Sequence, residues 1–247
     1  MTWKSLLITV VALGVIAGRA ASAEKTKEAP GASVDSGTFG VFINGKRIGT
    51  ETFSITQAPS GNVITSQFRT DPGVDKAEQS SELHISPTGE LRKYEWKEIS
   101  PGQAQATVTP SDTFLVERAT KTPQDKVEEQ PFLLPSSTSI LDDYFFVHRE
   151  VLAWKYLAST CRQLNGQMQC PVGQKAQFGT LNPHARSSML VSLEVAGQEK
   201  LKLGAAERDL TRLTLKGDTG EWTIWVDDQF KVQKMSVPAD NTEIVRD

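Results

Sequence analysis

Apolar and polar positions alternate in short runs from Thr38 to about Leu134, with turn-forming residues about every eight to twelve positions. This predicts an antiparallel meander. Phe39, Val41 and Ile43 alternate up to Asn44-Gly45, and the return strand carries Ile48 and then Phe53 and Ile55. Ile48 is in the opposite phase to Phe53 and Ile55, so an irregularity of one residue must lie between them, and Gly49 is the expected β-bulge. Further strands are expected over Val63 to Thr70, Glu78 to Ser86, Glu90 to Ile99, Gln103 to Thr109 and Thr113 to Thr120. Pro-Ser-Gly at 59–61, Asp-Pro-Gly at 71–73, Pro-Thr-Gly at 87–89, Pro101-Gly102 and Pro-Ser-Asp at 110–112 separate them.

One segment changes period. Ser139 and Asp142 have the spacing of a capping box, and Ile140 to Ser159 then runs without Gly or Pro, so a helix is expected there. Ile140, Leu141, Tyr144, Phe145, Val147, Val151, Leu152 and Trp154 cover an arc of roughly 200°, wide for a surface helix. Phe146, Leu157, Asp142, Arg149 and Glu150 fall on the opposite, mostly polar side. A helix so widely apolar has to be enclosed, and a curved sheet wrapped around it would do that. Strands resume at Ser188 to Ala196, Glu199 to Leu203, Arg208 to Lys216, Glu221 to Val226, Phe230 to Val237 and Thr242 to Arg246. The fold class is therefore α+β and mostly β: one strongly curved antiparallel sheet, a half-barrel, around one central helix.

The first 23 residues read as a secretory signal peptide. Lys4 is followed by an apolar run from Leu6 to Ala17, and Ala21-Ser22-Ala23 supplies small residues before Glu24. Residues 24–37 are expected to be a disordered tether, being poor in anything to bury, and 38–247 a single domain. Cleavage removes two positive charges and takes the net charge from −3 to −5, without a basic cluster. Nucleic acid is therefore not an expected partner, and no transmembrane segment remains after cleavage. The location implied is periplasmic or secreted.

The two cysteines, Cys161 and Cys170, flank a segment whose midpoint is Asn165-Gly166, a strong signal for a two-residue hairpin turn. With that turn, residue 164 faces 167, 163 faces 168, 162 faces 169, and Cys161 faces Cys170. The cysteines then fall on a non-hydrogen-bonded rung, where Cα atoms are about 4.5 Å apart. A disulfide can span that distance, and an exported chain meets an oxidising compartment.

The order of elements resembles the LolA/LolB-like half-barrel superfold of the periplasmic lipoprotein carriers, a curved antiparallel sheet covered by helices over an apolar cavity. The strings Gly-Val-Phe-Ile-Asn-Gly-Lys-Arg-Ile-Gly at 40–49 and Trp-Thr-Ile-Trp-Val-Asp-Asp at 222–228 resemble those that open and close a broad group of uncharacterised exported bacterial proteins near that superfold. The resemblance implies a fold and an exported location. It implies no catalytic residue.

Chemistry is sparse. P-loop, Gly-x-Gly-x-x-Gly, His-x-x-x-His and Cys-x-x-Cys patterns are all missing from the sequence, so no cofactor or metal is expected. His84 is expected to face solvent beside Glu82, while His148 falls within the apolar arc of the helix, where an unpaired polar group is costly. A backbone carbonyl or a strand side chain as partner in the core, or a ligand in a cavity, would each account for it. If a cavity lies under the helix, Phe145, His148 and Trp154 are the expected ligand-binding side chains. His184 sits in an irregular stretch with Arg186, Ser187 and Ser188, the best place for a polar site, although no Gly-x-Ser-x-Gly elbow accompanies it. Asp142-Asp143 and Asp227-Asp228 are explained by a helix start and a hairpin turn.

The leading expectation is a non-catalytic exported protein. It would bind an apolar or lipid-like, amphiphilic ligand, or an envelope protein partner, between helix and sheet. A secreted hydrolase using the His184 region and a ligand-free structural component of the envelope are the alternatives.

Overall fold

The computed structural model describes residues 31–164, 167–204 and 206–247. The expected signal peptide and the Asn165-Gly166 turn lie outside the described residues. Eight strands come first: β1 (Ala32–Ile43), β2 (Lys46–Ala58), β3 (Gly61–Thr70), β4 (Glu78–Ile85), β5 (Leu91–Ser100), β6 (Gln105–Ser111), β7 (Phe114–Thr120) and β8 (Glu128–Phe132). The short β9 (Ser139–Ile140), the helix α1 (Val147–Thr160) and a small hairpin, β10 (Arg162–Leu164) and β11 (Gln167–Gln169), follow. The chain ends with β12 (Lys175–Asn182), β13 (Ser187–Leu203), β14 (Ala206–Gly217), β15 (Gly220–Val226), β16 (Val232–Val237) and β17 (Thr242–Arg246).

Fifteen of these strands form one sheet in the order β8-β7-β6-β5-β4-β3-β2-β1-β17-β16-β15-β14-β13-β12-β9. Every neighbouring pair is antiparallel except β9 and β12, which run parallel. Two meanders are thus joined at β1 and β17, with Phe39 opposite Arg246 and Ile43 opposite Thr242. Period-2 burial explains the faces: Phe53 and Ile55 on β2, Ile64 and Phe68 on β3, and Val191, Leu193 and Val195 on β13 all enter one core. The core packs around α1, which is buried on most of its circumference.

Several expectations need correction. β1 begins at Ala32 and pairs with β2 as far as Gln57, so the sheet takes in residues assigned to the tether ahead of Thr38. The bulge on β2 is at Ile48, because Gly49 pairs with Val41 and Arg47 with Phe42. Gly49 is constrained by close packing instead, since an added Cβ would lie 2.8 Å from the Phe68 ring. The helix starts at Val147, and Ser139-Ile140, expected at its beginning, form a strand beside Leu181. The sheet is open and not strongly curled, contrary to the expected half-barrel: among the described residues its edge strands β8 and β9 have no mutual ladder. Strands β8 and β12 were not anticipated, and Ser188 to Leu203 is one strand with a register shift before Gly197.

Candidate functional site

The start of α1 is held by a side chain from far away in sequence. The first amides of a helix have no partner within it and carry a partial positive charge. Here the Phe146 N–H donates to Glu51 Oε2 at 2.8 Å, and the Val147 N–H donates to Glu51 Oε1 at 3.2 Å. Ser66 Oγ donates to Oε1 at 2.6 Å. Glu51 is fully buried, and burial pushes its carboxyl up to about 7 against the lowering effect of these hydrogen bonds. The expected capping box does not form, as Phe146 occupies the cap position without a side-chain cap bond. Glu51 stands in the same phase of β2 as Phe53 and Ile55, so an acid among core positions was the available signal.

Asp142 and His184 form a second buried junction. Tyr94 Oη donates to Asp142 Oδ2 at 2.7 Å, and His184 Nδ1 lies 2.6 Å from the same oxygen. His184 Nε2 lies 2.7 Å from Gln79 Oε1, and the ring stacks on Trp96 at 3.8 Å. Burial pushes the Asp142 carboxyl up, but the hydrogen bond and charge of His184 outweigh it and hold the group below its ordinary value. The turn between β12 and β13 is thereby tied to β4, β5 and the segment leading into α1. Both ring nitrogens of His184 are engaged, and neither partner is a serine. A neighbouring polar cleft of about 760 Å³ includes His184, Glu117 and Arg186.

The helix side read as polar is buried too. Arg149 is 2 % exposed. Its guanidinium lies over the Trp222 ring at 3.9 Å, and it donates to the Asp142 carbonyl at 3.0 Å and to Asp143 Oδ1 at 3.3 Å. Glu150 meets Arg246 at 2.9 Å. Phe146 and Leu157, expected on the polar side, are buried as well. Side chains from both meanders cover α1, so Arg149 and Glu150 are enclosed.

Two apolar-walled clefts flank the helix and share no lining residue. One, of about 500 Å³, runs along Val151, Trp154 and Lys155 against Leu83, Leu91 and Phe178, with His148 in its wall. The other, of about 570 Å³, lies beyond the start of the helix, where Arg149 and Trp222 meet Val41, Phe68 and Leu215.

The residues expected to bind ligand are divided by this geometry. His148 and Trp154 line the first cleft. Trp154 is half-buried, and its indole N–H donates to the Phe230 carbonyl at 2.7 Å. Phe145 is fully buried beside the rings of His148 and His184 and lines neither cleft. His148 is completely buried, and neither ring nitrogen has a hydrogen-bond partner, so neither the backbone carbonyl nor the strand side chain expected as its core partner is found. Burial lowers its pKa to about 4. His84, expected toward solvent, is partly exposed beside Glu82.

Cys161 and Cys170 form the disulfide, with Cα atoms 4.3 Å apart. The register beneath it is the expected one, Arg162 facing Gln169 and Leu164 facing Gln167. Among the described residues, no group of His, Cys, Asp and Glu side chains is arranged to hold a metal ion. None of their helices is long and apolar enough to cross a membrane. Comparison of the chain with protein-family models, with curated proteins and with solved structures finds no match.

Proposed function

We propose that this chain is an exported binding protein that holds an apolar or amphiphilic ligand in the cleft along α1. The observation that carries the reading is His148. A neutral imidazole has one N–H donor and one acceptor, and leaving either unmatched in the interior costs about 1 to 3 kcal/mol. His148 leaves both unmatched in the wall of a cleft whose surface is mostly apolar. A ligand hydroxyl or carbonyl would match one of them once a side-chain shift opens the ring to the cleft, while its apolar part covers Leu83, Leu91 and Phe178. A volume of about 500 Å³ lies within the range of roughly 300–1,000 Å³ usual for small-molecule sites. The Cys161–Cys170 disulfide supports an oxidising, exported compartment, periplasmic or secreted. The hydrolase reading has less support, because both nitrogens of His184 are already occupied.

The test is saturable binding of an environment-sensitive apolar dye, followed in the parent chain and in Val151→Trp. The indole should fill the cleft and weaken dye binding at least tenfold while thermal stability changes little. Binding that is undiminished in a folded Val151→Trp chain, or no saturable binding at all, would overturn the proposal. Activity on ester or glycoside substrates that disappears in His184→Ala would replace it with the hydrolase.

A further inference from the structure

The second cleft contains a charged group that folding does not fully satisfy. Arg149 forms part of its lining, and the guanidinium Nε–H is buried without an acceptor. The other nitrogens have one backbone carbonyl, at 3.0 Å, and one carboxylate oxygen, at 3.3 Å. That carboxylate is a weak counter-charge. The Asp143 side chain is 67 % exposed and also accepts from Asn182 Nδ2 at 2.6 Å. A guanidinium at 2 % exposure, stacked on Trp222 in a protein interior, gains from a further anion more than a solvated arginine would. Around it, Val41, Ile43, Ile48, Phe68, Leu215 and Val237 supply an apolar wall.

We infer that the cleft of Arg149 and Trp222 is a binding site for a single-chain amphiphile with a monoanionic head, of the fatty-acid carboxylate class. The head accepts from the free Nε–H of Arg149 once a small shift of the side chains that seal it opens it to the cleft, and the hydrocarbon covers the wall formed by β1, β2, β3, β14 and β16. Asp143 and Asp240 also line the cleft, and their negative charge disfavours a doubly charged head such as a phosphate monoester. A cleft of about 570 Å³ is within the range for a ligand of this size. The inference extends the binding reading to the other side of α1, and its lining is independent of the His148 cleft.

Calorimetric titration of the full chain with dodecanoate, dodecanol and dodecyl phosphate, each below its micelle concentration, tests it. Dodecanoate should bind at least tenfold more tightly than either of the others. Arg149→Gln should abolish that preference and retain the dodecanol affinity. Equal affinity for dodecanoate and dodecanol, tightest binding of the phosphate, or a preference that survives in a folded Arg149→Gln chain would each overturn the inference. If Arg149→Gln fails to fold, Ile43→Glu at the partly exposed rim decides. It should weaken dodecanoate at least tenfold and dodecanol much less, and an unchanged preference would overturn the assignment. Dye binding sensitive to Val151→Trp, measured in the same preparations, separates failure at this site from failure of the His148 reading. Loss of dodecanoate preference with dye binding intact would reject only this site.

Discussion

Glu51 and His148 act on stability with opposite pH dependence. The Glu51 carboxyl titrates near 7 when folded, against an ordinary value of 4.5, so the folded chain holds its proton more tightly. Its contribution is present in full below 4.5 and is lost as pH rises to about 7. His148 falls from 6.5 to about 4, so its contribution is present above 6.5 and is lost as pH falls to about 4. Each shift corresponds to something on the order of 3 kcal/mol, and across the shared window the two should nearly cancel. Glu51→Gln removes one arm, and in urea titrations its stability relative to the parent chain should climb by about 2 to 3 kcal/mol from pH 4.5 to 6.5. A difference between the two chains that stays constant over this window would mean that Glu51 ionises alike in the folded and unfolded chain.

At the scale of elements, α1 is a core helix in which Arg149 and Glu150 are enclosed with the apolar residues. Phe145→Ala should cost about 3 to 5 kcal/mol, the usual loss for a fully buried aromatic. Arg149→Ala should cost about 1 to 3 kcal/mol, because it removes the stack on Trp222 and the bond to the Asp142 carbonyl. Ser159→Ala, at the exposed end of the helix, should stay within about 0.5 kcal/mol. Urea unfolding that ranked Arg149→Ala with Ser159→Ala would place the guanidinium outside the core. The disulfide hairpin follows the helix directly, and its short loop should stabilise by about 2 to 4 kcal/mol. Thiol titration of the denatured, unreduced chain should find no free cysteine, and two titratable thiols would contradict the bond.

For the whole molecule, the junction of β1 and β17 unites the two meanders, and one charged cluster crosses it. Arg246 on β17 meets Asp35 on β1 at 2.8 Å and Glu150 on α1 at 2.9 Å. Lys231 joins Asp35 at 3.1 Å. Burial works against ionisation of Asp35, but Arg246 and Lys231 hold its pKa down to about 2. Burial and Asp35 together push Glu150 well up. Arg246→Met would leave these acids enclosed without their main counter-charge, at a cost of about 3 to 5 kcal/mol. Thermal unfolding should show a large fall in Tm, shared by probes in both meanders because the junction belongs to both. A change of less than about 0.5 kcal/mol would show that the cluster contributes little.

Local pattern alone determined most strand positions, the identity of their buried faces and the Cys161–Cys170 pairing. Those properties depend on period-2 burial and on turn residues close in sequence. Glu51 in the core phase of β2 was legible as an anomaly, although its partner was not. The start of α1 was misread because Ser139 and Asp142 have the spacing of a cap while Ile140 adds to a sheet edge beside Leu181. Only the tertiary structure decided that β1 lies beside β17, that Glu51 caps a helix 95 residues away, and that Asp142 meets His184. It also decided that Arg149 and Glu150 are enclosed, since a charged residue can be buried once distant strands bring it a partner. Periodicity records which way a side chain points from its own element, whereas cap, counter-charge and cleft depend on what long-range pairing places opposite it.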